Sequence, residues 1–92
     1  MSKGTVVVLE VKSCGIRDNS DEHTEKGVYV FGNPSSAENF MNKFCEAHNI
    51  LDFHSHGPSF NPYRPADNSY SGHSYKENRL YLMYEYQRPI EE

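Results

Sequence analysis

Apolar side chains recur with two different periods along this chain of 92 residues, and the change of period divides it into strands and a helix. Residues 5–12 (TVVVLEVK) are β-branched and nearly unbroken in apolar character, which predicts a buried strand. Alternation sends Val7, Leu9 and Val11 to one face and Val6, Val8 and Glu10 to the other. The polar stretch 13–26 predicts a loop, and 27–31 (GVYVF) a second short strand closed by Gly32, Asn33 and Pro34. The period then lengthens. Ala37, Phe40, Met41, Phe44, Cys45 and His48 recur at spacings of three and four, one helical stripe suited to packing on a sheet. Ser35 is the expected cap, with Glu38 three residues on completing a capping box, and Asn49 is the expected stop. Residues 50–54 predict a third strand. From 57 to 78 the chain is rich in Pro, Ser, Asn, Gly and Tyr with no apolar period, which predicts a long loop. Residues 79–87 (RLYLMYEYQ) form the last expected strand, ended by Pro89.

The order strand, strand, helix, strand, loop, strand predicts an α+β fold in a single domain over 1–92. The expectation is a small mixed or antiparallel sheet of about four strands, with one helix on one face and a long irregular loop before the last strand. A hydrophobic content of 36% makes a thin core, while 13% aromatics argue against a disordered chain. In so small a domain a bound metal would also add stability.

Net charge and cysteine usage narrow the function classes. At −4, with Lys and Arg scattered, general binding to nucleic-acid backbones is excluded. Residues 26–31 (KGVYVF) are similar to the aromatic strand of RNA-recognition sheets, but the acidity and the missing second helix favour a core strand. Asp18, Asp21, Glu22 and Glu25 read as a solvated loop. No apolar run is long enough to span a membrane. Cys14 and Cys45 lack metal or redox spacing, and no secretion signal opens the chain, so reduced thiols and a cytoplasmic location are expected.

The densest chemistry lies at His54, His56 and Asp67, with the carboxylate eleven positions after the second imidazole. If 50–56 is extended, Asp52, His54 and His56 share a face, and Leu51 and Phe53 turn to the core. The two imidazoles would then stand roughly 6–7 Å apart by strand rise. Two imidazoles and an acid suit one divalent ion, and a three-ligand zinc keeps a position for water whose pKa falls to about 7.

His54-Ser55-His56, the 65–67 tail (PAD) and the eleven-residue step resemble the JAB/JAMM (MPN-like) metalloprotease family. The resemblance spans 27–84, and its specific part is about fourteen residues. It implies that His54, His56 and Asp67 hold Zn2+, and that the chain is a zinc-dependent peptide or isopeptide hydrolase or an inactive, metal-binding relative. The family's upstream Glu, the general acid/base, maps to Glu10, with Glu22 and Glu25 as alternatives in the loop. Three positions depart from the family. Gly57 stands where Pro is usual, Arg64 where a Ser helps hold the oxyanion, and the stretch 68–72 (NSYSG) where a helix is expected. His73 is an alternative further ligand.

A second reading needs no metal. Tyr and Arg dominate binding hot spots, and Tyr63, Arg64, Tyr70, Tyr75 and Arg79 lie in or beside the long loop. The chain would then be a small acidic inhibitor or adaptor that engages a protein or peptide partner through residues 58–78. Oligomeric state is left open by the sequence.

Overall fold

Part of the polar stretch before the last strand is itself a strand, so the sheet has five members among the described residues. A computed structural model describes residues 4–16, 24–59 and 65–89. Its elements are β1 (Thr5–Gly15), β2 (Thr24–Phe31), α1 (Pro34–Ala47), β3 (Leu51–Gly57), β4 (Asn68–Ser74) and β5 (Arg79–Pro89). Among the described residues they form one antiparallel sheet in the order β2-β1-β5-β4-β3, with a single helix, an α+β architecture. The last strand in sequence lies in the middle. α1 carries the chain from one edge of the sheet to the other, because β2 and β3 are its two outer strands.

β4 corrects the expected long loop. Its residues Asn, Ser, Tyr, Ser, Gly, His and Ser have little strand preference of their own. Pairing makes the strand: all seven residues are in register with β5, from Asn68 opposite Glu85 to Ser74 opposite Arg79. A tight turn follows, with Asn78 at φ 59°, a left-handed position that asparagine tolerates.

The helix start also differs from expectation. Asn33, not Ser35, is the cap: its side chain accepts the Ser36 amide at 2.8 Å, and Pro34 occupies the first turn. The predicted stripe does face the sheet. Ala37 and Met41 are buried, and Phe40, Phe44 and Cys45 pack on a core made by Leu9, Val11, Met41, Ile50, Tyr81 and Met83. Val7, Leu9 and Val11 are fully buried, as their shared face requires.

α1 packs on β1 and β2, the half of the sheet from which it departs. Gly72 serves the other half. A Cβ there would collide with Ile50 and stand 3.1 Å from the ring of Phe53, so only glycine lets the start of β3 settle over β4. The face of the sheet away from α1 exposes Val28 and Val30. Among the described residues, no helix is long and apolar enough to cross a membrane.

Candidate functional site

The register separates the residues that a zinc hydrolase would need. His54, Ser71, Leu82 and Lys12 form one cross-strand row, so Glu10 and His54 share a face but stand on strands three spacings apart. At about 4.8 Å per spacing that is roughly 14 Å, beyond the reach of a general base acting through one water. Glu10 is instead buried on β1 beside Lys12, whose ammonium lies 3.3 Å away. Its expected catalytic role is not supported by its position.

His54 and His56 are both exposed on β3, with ring centroids 6.4 Å apart, and His56 Nε2 meets Ser71 Oγ at 2.5 Å. Asp67 is turned away from them, toward β5. Its carboxylate accepts the Gln87 amide at 2.6 Å and pairs with Arg88 at 3.1 Å, while its own amide donates to Glu85. These contacts extend the β4–β5 pairing by one residue and occupy the acid. Among the described residues, no three His, Cys, Asp or Glu side chains are grouped to hold a metal. The residues present therefore do not fit the zinc set that the resemblance implies.

β3 departs from a regular strand before its histidines. Asp52 has φ 53°, and the register shifts between Leu51 and His54. Leu51 is consequently exposed at 59%, whereas Phe53 packs on the core as expected. Asp52 accepts the Tyr75 hydroxyl at 3.3 Å rather than joining a histidine cluster.

The residues expected to form a partner-binding loop fall in three places. Tyr63 and Arg64 lie outside the described residues. Tyr75 is exposed in the β4–β5 turn, its ring stacked on His73. Arg79 donates to Ser13 Oγ at 3.1 Å at the start of β5. Tyr70, the third described residue, lines a cavity.

That cavity, about 480 Å³, opens between α1 and the half of the sheet that α1 does not cover. Glu38, Met41 and Asn42 line it from the helix, and Phe53, Ser55, Tyr70 and Glu85 from the sheet. Phe53 lies flat on Tyr70, with centroids 5.6 Å apart and planes 6° apart. Glu85 is only 5% exposed and accepts Asn68 Nδ2 at 2.9 Å. Burial, then Glu85, then Glu38, pushes the Tyr70 phenol above its ordinary pKa, so both carboxylates act on the cleft. No described side chain lining it is basic. Among the described residues, the cleft is an aromatic slot lined by two acids and no base.

Sequence reasoning missed Glu85, Glu38 and Phe53 as site residues. Glu85 carried a readable signal, since it falls on the same strand face as Tyr81 and Met83, where an apolar residue is expected. In comparisons with known proteins, no family model, no curated protein and no solved structure matches the chain.

Proposed function

We propose that this chain is a binding module that receives a basic side chain of a protein or peptide partner in the cleft between α1 and β3, β4 and β5. The observation that carries this reading is Glu85, a carboxylate almost wholly withdrawn from water that lines an open cavity beside Glu38 with no described base near it. A buried carboxylate is costly unless it is paired, and a guanidinium or ammonium entering the cleft would pair it. The flat Phe53–Tyr70 stack offers a ring face to a planar guanidinium, which favours Arg over Lys. The net charge of −4 would speed encounter with a basic partner. Tyr70 keeps the partner-binding role expected of it, through a different neighbourhood.

The test is an amide NMR titration with arginine amide, lysine amide and sodium chloride at matched ionic strength. Arginine amide is expected to shift the signals of Phe53, Tyr70 and Glu85 more than lysine amide does, and salt to leave them in place. Glu85→Gln keeps an oxygen for Asn68 but removes the charge, and is expected to weaken binding about tenfold, the scale of one charge-assisted hydrogen bond. Equal responses to salt and to arginine amide, or unchanged binding in Glu85→Gln, would rule the reading out.

A further inference from the structure

A second recess lies near the other end of α1, where the helix meets β2 and β5. It holds about 220 Å³ and is lined by Tyr29, Phe44, His48 and Tyr81. Four aromatic side chains from three elements converge there. Phe44 and Tyr81 meet edge to face at 5.5 Å and 78°, and His48 stands 4.2 Å from Phe44 and 5.4 Å from Tyr81 between ring centroids.

Glycine makes the fourth wall possible. A Cβ at Gly27 would stand 2.8 Å from the Tyr29 hydroxyl and 2.9 Å from its Cζ, so the Tyr29 ring lies along β2 over the bare glycine. Any larger residue would displace it.

One carboxylate, Glu77, dominates the electrostatics of the recess, and the guanidinium of Arg79 opposes it more weakly. The Tyr81 hydroxyl donates to Glu77 Oε1 at 2.5 Å, and His48 Nδ1 lies 3.0 Å from Oε2. An ionised carboxylate can only accept, so Nδ1 carries the proton in that contact. The anion thus touches the edges of two of the four rings, and a phenol that donates to a carboxylate gains electron density on its face. Phe44 belongs to the last turn of α1, where the helix carries partial negative charge, and no basic residue stands in that turn. Arg79, two residues before Tyr81, donates its Nε–H to Ser13 Oγ and does not line the recess, although its charge still reaches Glu77 and Tyr81.

From this convergence we infer that the recess is a binding site for a quaternary ammonium group. Such a cation sheds water easily, has no N–H to satisfy, and is held by ring faces rather than by a direct salt bridge. The trimethylammonium head could come from a small free solute or from a trimethylated lysine of another protein, and the chemistry of recognition is the same. The site does not depend on the cleft described above, which is lined by other residues and takes a hydrogen-bonding cation.

The experiment is a titration of the full chain, followed by the aromatic proton signals of Tyr29, Phe44 and Tyr81, with three small probes. Choline supplies the charged head, 3,3-dimethylbutan-1-ol supplies the same shape without charge, and ethanolamine supplies a small hydrated ammonium. Choline is expected to bind at least about fivefold more tightly than either of the others, the scale of a partly desolvated cation–π contact. Equal binding of the neutral isostere would show an apolar recess only and overturn the inference, as would no response to choline.

Phe44→Leu is expected to weaken choline binding at least about fivefold while leaving the response of the cleft to arginine amide intact. Should that variant fail to fold, Glu77→Gln on the exposed turn removes the anion behind the rings and is expected to weaken choline about threefold. Unchanged affinity in Glu77→Gln counts against the site. A peptide bearing trimethyl-lysine that binds more than about tenfold tighter than choline assigns the source to protein, and equal affinity assigns it to a free solute.

Discussion

The hydroxyl of Tyr81 donates to the carboxylate of Glu77 at 2.5 Å, joining β5 to the turn that precedes it. Burial first, and then this anionic neighbour, push the Tyr81 phenol to about 12. The folded value lies above the unfolded one of about 10, so the stabilisation is complete below pH 10 and is lost as the pH rises through about 12. Unfolding free energies from urea titrations between pH 9 and 12 are expected to fall further in the wild type than in Tyr81→Phe, by on the order of 2 kcal/mol. Parallel curves for the two proteins would contradict the assignment.

Gly72→Ala places a methyl group against Ile50 and Phe53. Overpacking of this kind costs about 1–3 kcal/mol, and here it also lifts Phe53 from Tyr70. Chemical denaturation is expected to register the loss, and near-ultraviolet circular dichroism the disturbed rings. A fully stable variant with an unchanged aromatic signal would show that β3 has room to retreat.

The two possible helix starts make opposite predictions. Asn33→Ala removes the acceptor of the Ser36 amide and is expected to cost about 1 kcal/mol, whereas Ser35→Ala is expected to stay within about 0.5 kcal/mol. Thermal unfolding of the two variants side by side decides between them. The reverse ranking would restore Ser35 as the cap.

Tyr70 reports on the acids of the cleft. Its phenol is raised by burial and by Glu85 and Glu38, so Glu85→Gln is expected to bring its ionisation back toward the ordinary tyrosine range. Carbon-detected NMR of the ring through an alkaline titration gives the value for this residue alone. An unmoved midpoint would mean that burial acts by itself.

Asp67 is held by the Gln87 amide and by Arg88, both on β5. Asp67→Asn is therefore expected to leave the response of the His54 and His56 ring signals to added zinc as it is in the wild type. The half-exposed ion pair with Arg88 contributes at most about 1 kcal/mol, so stability should change little. A zinc response abolished by the substitution would bring the acid back to the imidazoles.

Elements set by local period were legible in the sequence. The alternation of Val7, Leu9 and Val11 and the stripe from Ala37 to Phe44 each identify a buried face without knowledge of the partner. β4 was not legible, because a strand of Ser, Asn, Gly, His and Tyr gains its order from neighbours on both sides. The choice of Asn33 over Ser35 turned on two adjacent residues that can each cap a helix. The histidine spacing was read correctly to within the strand rise, but its partner acid was not, since Asp67 answers to β5 rather than to β3. The cleft escaped for a topological reason: it exists because α1 covers one half of a sheet whose other half is completed by later strands.

The central position of β5 has a consequence for how this protein is made. A chain leaving the ribosome exposes the β1–β2 ribbon and the β3–β4 ribbon as separate pieces, each with one unpaired edge facing the gap. Only the fifth strand can close it, and it does so by pairing with residues up to 84 positions away, as Thr5 does with Pro89. Assembly that waits on contacts so distant in sequence is slow, and nascent or truncated forms would present two open edges to each other and to neighbouring chains.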